Sequence, residues 1–275
     1  MKKQIKLIIT DFDGTIADEN NQISAKTRET FEKLKRHGIK IIIATGRMFP
    51  SAEIMAKRLD LDTPIVAYQG ATIQFSGEDK PIFANYLDKN CAREIVKYLK
   101  GKNIHTQLYI NDEIIVENDN DIVKAYAQKM ELGYKVVKNI EEEDLSVLPK
   151  ILAINMNPKI VSNLQKEAQN ILKDKVCITL STPYFCEFTN PKAHKGEALK
   201  FLANYYNIPL EQTMAFGDQN NDITMIQNAG IGVAVENASD NLKKVCDYVT
   251  KSIKEDGVAY AIEKFVDFGV KNATL

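Results

Sequence analysis

Two short apolar, β-branched runs, Ile5–Thr10 and Ile39–Ala44, flank a helix-length amphipathic segment near the start of the chain. Neither run alternates polar with apolar residues, so each reads as a strand covered on both faces, the signature of a parallel sheet. Between them Ser24 is a good helix N-cap, Thr27, Phe31 and Leu34 recur at helical spacing, and Gly38 supplies a stop. A β–α–β unit of this kind confines the region to an α/β fold with right-handed crossovers. A short helix to about Leu59 is expected next, followed by strand-like Ile65–Tyr68 and Thr72–Phe75.

The C-terminal part repeats the alternation. "HKGEALKFLANYYNIP" reads as a helix closed by Pro209, "TMAFGD" as a strand, "NNDITMIQNAG" as a helix ended by Gly230, "IGVAV" as a strand and "SIKEDGVAYAIEKFV" as a last helix. The middle has another texture. "HTQLYINDEIIVEN" looks like a hairpin turning at Asn111-Asp112, and "PKIVSNLQKEAQNIL" like a long amphipathic helix. The expected architecture is a Rossmann-like parallel-sheet core formed by residues 1–84 and 189–275, with an α+β domain, 85–188, inserted into it.

Composition narrows the function classes. With 36 basic and 37 acidic residues the formal charge is −1, which leaves no electrostatic footprint for nucleic acid. No run of 18 apolar residues is present, so no membrane span is expected. Met1-Lys2-Lys3 resembles the start of a signal peptide, but Lys6 and Asp11 interrupt the apolar stretch behind it. Cys91, Cys177, Cys186 and Cys246 are scattered with no CxxC pair, which argues for packed, reduced thiols in a cytoplasmic protein. A monomer or small homo-oligomer is expected.

In an open α/β sheet, ligands gather at the carboxyl ends of the strands. The first strand there delivers Asp11 and Asp13, the second Thr45 and Gly46, and "TMAFGD" delivers Asp218, with Asn221 and Asp222 just beyond; Lys195-Gly196 opens a helix in the same half. Two carboxylates side by side at the end of a buried strand repel one another unless something positive sits among them. Three carboxylates facing one cleft suit Mg²⁺, a hard cation that prefers oxygen ligands. Lys195, the Thr45 hydroxyl and backbone N–H groups in the Gly-bearing turn would attract an anionic substrate, and together these parts describe phosphoryl transfer.

"DFDGT", "ATGR", Lys195-Gly196 and "GDQNND" resemble the four motifs of the haloacid dehalogenase-like (HAD) superfamily. Their order and the insertion between the second and third resemble the Cof-like phosphatases, which carry a large α/β cap there. The resemblance implies Asp11 as nucleophile and Asp13 as general acid and then base. It implies Mg²⁺ held by the Asp11 carboxylate, the Asp13 carbonyl and Asp218, with Asp222 in its nearer or outer shell. Thr45, Lys195 and Asn221, with the N–H groups of Phe12 and Gly46, would hold the phosphoryl oxygens. The presence of Asp13 favours turnover to water, hence a phosphatase for small phosphorylated metabolites such as sugar phosphates or phosphorylated cofactors. The alternatives are a phosphotransferase or mutase on the same core, or a non-catalytic metabolite-binding regulator. One departure stands out: Gln69 in "VAYQGATI" occupies a place where Cof-like chains commonly carry Asn.

Blander readings stand beside these. A lone Asp-x-Asp-Gly is usually a solvated turn, Thr45 a strand-end hydroxyl, Asp222 a first-turn acid favoured by the helix dipole. Arg47 reads as a surface ion pair, His37, His105 and His194 as structural, and "EEED" at 141–144 as a solvated helix start. Tyr184 and Glu187, in "STPYFCEFTNPK", are candidates for contact with the leaving group by position alone.

Overall fold

The computed structural model describes residues 2–269. They fall into two compact units: one made of the chain up to Thr45, Ala56–Val66 and the chain from His194 on, the other of Gly46–Met55 and Ala67–Ala193. Residues 67–84 and 189–193, read from the sequence as core, therefore cluster with the second unit, as does the short segment after Thr45.

The first unit is built on a five-stranded parallel sheet in the order Tyr248–Val249, Ile231–Ala234, Thr213–Gly217, Leu7–Thr10, Lys40–Ile43. The Leu7–Thr10, Thr213–Gly217 and Ile231–Ala234 strands are buried along their whole length, which is why they show continuous apolar runs. Leu7 pairs with both Thr213 and Lys40. From Leu7–Thr10 the chain proceeds to one edge and later returns to Thr213–Gly217 on the other side. The sheet thus reverses direction of winding between these two central strands, the switch point where α/β folds leave a crevice.

Helix Ala25–Arg36 begins where expected: the Ser24 hydroxyl accepts from the Thr27 N–H, and Thr27, Thr30, Phe31 and Leu34 are buried. Helix Lys195–Tyr205 stops short of Pro209, because Asn207 already takes a left-handed conformation at φ 54°. The "NNDITMIQNAG" stretch divides into a 3₁₀ turn, Asn220–Asp222, and a helix, Ile223–Asn228, with Gln219 and Asp222 forming a capping box at its entry. The last helix is Gly257–Phe265, preceded by a separate 3₁₀ turn at Ile253–Glu255 and by Asp256 at φ 57°.

The second unit carries a six-stranded sheet in the order Cys177–Thr182, Phe185–Thr189, Lys150–Ile154, His105–Ile110, Glu113–Val116, Tyr134–Val136, antiparallel except for the last pair. His105–Ile110 and Glu113–Val116 form the expected hairpin through Asn111 and Asp112. Helices Lys89–Gly101 and Pro158–Leu172 contribute Ile95, Val96, Leu99, Val161 and Leu164 to a core with Leu108, Ile151, Cys186 and Phe188. The acidic run does not start a helix. Two short 3₁₀ turns, Ile140–Glu142 and Leu145–Val147, replace it, each capped by its own side chain, Asn139 and Asp144.

Candidate active site

At the carboxyl ends of the two central strands, Asp11 follows Leu7–Thr10 and Asp218 follows Thr213–Gly217. The Asp11 N–H donates to the Phe216 carbonyl at 2.9 Å, so the ladder continues one residue past the strand and fixes the direction in which Asp11 leaves it. Asp11, Asp218 and Asp222 are buried, and each offers an oxygen within 4.8 Å of the others. Lys195, at the first turn of its helix, is completely buried and places Nζ 2.5 Å from Asp11 Oδ1 and 2.6 Å from Asp222 Oδ1. One ammonium against three carboxylates leaves the cluster under-neutralised.

The proton affinities show the same imbalance. Burial holds the Asp11 carboxyl well above the usual carboxylate range; Asp222 and Asp218 add to this, and Lys195 only partly opposes it. Burial also raises Asp218, with Asp222 adding and the Gln219 amide opposing. Burial works against the Lys195 ammonium, but the charges of Asp11 and Asp222 outweigh it, and the lysine holds its proton more tightly than usual. A divalent cation is a group that would keep the Asp11 and Asp218 carboxyls ionised. An all-oxygen donor set of this kind fits Mg²⁺.

The three acids are not equivalent. Asp222 Oδ1 receives Lys195, and its Oδ2 accepts the Asp218 and Gln219 N–H groups, both at 3.0 Å. Its role is to hold the lysine and the turn. Asp11 Oδ2 and Asp218 Oδ1 each face the hydroxyl of Thr15, at 3.3 and 3.4 Å, both longer than a good O–H···O bond. Those two oxygens are the best placed for a metal. Gly14 makes the approach possible: it sits at φ +80°, and a Cβ there would lie 2.6 Å from Asp218 Oδ2.

The remaining candidates are distributed around this cluster or beyond it. The Asp13 carboxylate is exposed and outside the group of three, while its backbone bridges to Ala17. Phe12 is buried, and its carbonyl accepts from Ile16 and Ala17, closing the turn after the strand. Thr45 is buried at the end of Lys40–Ile43, with its N–H on the Val66 carbonyl. Asn221 is half-buried in the 3₁₀ turn. Gly46 belongs to the second unit, where a Cβ would collide with the Gln69 amide. Gln69, at φ 64°, is thus packed onto the Gly46 backbone. His194 caps its helix, with Nδ1 accepting from the Glu197 N–H at 3.3 Å. Thr15 and Gln219, whose amide donates to Asp218 Oδ2 at 2.9 Å, were not singled out from sequence. Their only signal was their place inside "DFDGT" and "GDQNND".

The model of the haloacid dehalogenase-like hydrolase family matches residues 8–262. The chain belongs to that family. Among relatives of this haloacid dehalogenase-like hydrolase, the Bacillus subtilis 5-amino-6-(5-phospho-D-ribitylamino)uracil phosphatase YwtE is 31% identical, covering 95% of this chain and 98% of its own. A solved haloacid dehalogenase-like hydrolase from Bacteroides thetaiotaomicron superposes with a TM-score of 0.86 at 28% identity, over 94% of this chain and 99% of that one. A subclass IIB sugar phosphatase of the superfamily superposes with a TM-score of 0.81 at 25% identity, over 94% and 98% of the two chains. The family's parallel-sheet α/β core and its hydrolase character are those of this chain. Among the described residues no helix is long and apolar enough to cross a membrane.

Proposed function

We propose that this hydrolase is a Mg²⁺-dependent phosphatase of small phosphorylated metabolites, sugar phosphates or phosphorylated cofactors, with the first unit as catalytic core and the second as its inserted cap. The observation that carries the reading is the under-neutralised trio Asp11, Asp218 and Asp222 around buried Lys195 at the sheet's switch point. The names of the ribitylaminouracil phosphatase and the sugar phosphatase support the substrate class. The free cysteines among the described residues fit a cytoplasmic enzyme.

In this reading Asp11 attacks phosphorus as the bond to the leaving alkoxide breaks, and Asp13 gives that alkoxide its proton. Asp13 then takes a proton from water as the water oxygen attacks phosphorus, which releases Asp11 and inorganic phosphate. Asp11, Asp218 and the Asp13 carbonyl would hold Mg²⁺, with Asp222 behind them; when bound, the metal supplies positive charge to the phosphoryl oxygens. Thr45, Asn221, Lys195 and the N–H groups of Phe12 and Gly46 are the proposed phosphoryl ligands. Lys195 has one N–H left beyond its two carboxylates among the described residues for that purpose.

Phosphate release from a panel of sugar phosphates and phosphorylated cofactors tests this, with Mg²⁺ and with chelator. Release should require the metal, and Asp11→Asn should lower it by about 10³-fold or more. Release that survives both chelation and Asp11→Asn would refute the proposal, and phosphate recovered on an acceptor alcohol would replace hydrolysis with transfer.

A further inference from the structure

A general acid works only from within hydrogen-bond reach of the oxygen it protonates, so its place has to be fixed. Burial helps to fix Asp11, Asp218 and Asp222. Asp13, by contrast, has an exposed side chain, and the geometry of its backbone turn decides where that side chain starts. Inside the turn the Phe12 carbonyl accepts from Ile16 and Ala17, and the Gly14 N–H donates to the Ala17 carbonyl at 2.9 Å. Gly14, at φ +80°, leaves its own carbonyl outside that set. No backbone N–H among the described residues reaches it.

That carbonyl is taken by a side chain 223 positions away. Asn237 Nδ2 donates to it at 2.8 Å, and Asn237 Oδ1 accepts from the Ile253 N–H at 3.1 Å. Asn237 stands in the loop after Ile231–Ala234, and the loop is anchored on either side of it. The Val235 N–H donates to the Gly217 carbonyl at 3.2 Å, and the Ser239 N–H to the Asp218 carbonyl at 2.8 Å. The loop thus rests on the strand end that carries Asp218, and its asparagine reaches the turn that carries Asp13. Asn237 is itself exposed. Hydrogen bonds at such a site add modest net stability, since they replace bonds to water. Both ends of this amide are nonetheless committed to backbone groups of two separate segments. A carboxylate of the same shape could accept from Ile253 but has no proton to donate to Gly14.

We infer that Asn237 is a positioning residue for Asp13: by holding the Gly14 carbonyl it fixes the turn from which Asp13 gives its proton to the leaving alkoxide. This rests on the phosphatase reading and adds to it the group that places the acid. The nucleophile does not depend on the same bond, because Asp11 is held by its own N–H on Phe216 and by Lys195. Without Asn237 the turn keeps its internal bonds but is free to shift as a body. A displacement of about 1 Å at a reacting group costs about 10²-fold in rate. The cost should fall on esters whose alkoxide needs the proton. A nitrophenolate is a stable anion and leaves without it.

The test is kcat/KM of the full-length protein with Mg²⁺ on two esters, p-nitrophenyl phosphate and the sugar phosphate of the panel that is turned over fastest. This quantity covers the step in which the alcohol leaves. Asn237→Asp keeps the acceptor for Ile253 and removes the donor to Gly14; Asn237→Ala removes both. Each should lower kcat/KM about tenfold or more for the sugar ester and less than about threefold for p-nitrophenyl phosphate. Asp13→Asn, measured alongside, should separate the two esters further. Mg²⁺ affinity of Asn237→Ala, read by calorimetry, should stay within about threefold of the unaltered protein, which a general loosening of the site would not allow. With Asp13→Asn separating the esters, an equal loss on both in the Asn237 variants, no loss on either, or a weakened metal site overturns the inference alone. If Asp13→Asn lowers both esters alike, the acid assignment falls and the inference with it. Release from neither ester refutes the phosphatase reading itself.

Discussion

With Lys195 fully buried between Asp11 and Asp222, each carboxylate depends on an ammonium that reaches it from another element. Removing one partner of a buried charge set costs far more than the set contributes net, because the remaining charges lose their only compensation. Lys195→Met should destabilise the first unit by about 3 kcal/mol in urea unfolding at pH 8. The loss should be smaller at pH 5, where carboxyls already raised by burial take up protons more readily. Equal losses at the two pH values would show that the lysine acts by packing alone. His105 gives a second residue-scale expectation. The Asn120 amide faces its Nδ1 at 3.2 Å while Asn120 Oδ1 accepts from Val123, so Nδ1 is held as an acceptor; burial lowers the ring to about 4. The unfolded chain therefore binds the proton first, and stability should fall as pH drops from about 6.5 to about 4, by about 2 kcal/mol after allowing for partial exposure. His105→Gln should flatten that part of a urea-midpoint profile. An unchanged slope would assign it to other groups.

Among the elements, the Asn111-Asp112 hairpin shows why some local structure is readable in advance. Both turn residues have positive φ, 49° and 60°, as a two-residue turn between right-twisted strands requires, and Asn and Asp tolerate that region. Asn111→Ala should cost about 1 kcal/mol, read from the urea midpoint of the second unit; no loss would mean the turn changes type at no cost. Its neighbour Asp112 also receives the Tyr68 hydroxyl at 2.9 Å, which no turn rule anticipates. The acidic run 141–144 misled for a related reason. Its charge density resembles a helix start, but Asn139 and Asp144 each turn inward to cap a separate 3₁₀ turn, and the extended Glu143 separates the two. The same competition from side-chain capping by Gln219 and Asp222 divided the stretch after Asp218.

At the scale of the whole molecule, two units with separate cores should not respond alike to metal. On the proposed reading Mg²⁺ would bind only the folded form of the unit holding Asp11 and Asp218, so calorimetry should show that unit's transition rising with Mg²⁺, by about 2.7 kcal/mol at a hundredfold excess over the dissociation constant. Asp218→Asn should abolish the rise. A rise shared equally by both transitions would place the metal elsewhere.

Most strand and helix identities, the Ser24 cap and the hairpin were legible in the chain because they depend on neighbours a few residues away: alternation, capping and turn chemistry act locally. The extent of the two units was not legible, since residues 67–84 cluster through contacts that no local pattern encodes. Nor was the division of labour among the acids. Lys195 and Asp11 are 184 positions apart, and only the alignment of two parallel strands with a helix start brings them to 2.5 Å, ties Asp222 to protein donors and leaves Asp11 Oδ2 and Asp218 Oδ1 the more open pair. Lys150 and Glu187 make the point again. The sequence singled out Glu187 by position alone and Lys150 not at all; sheet pairing through the Lys150–Ile154 and Phe185–Thr189 strands buries both on one face.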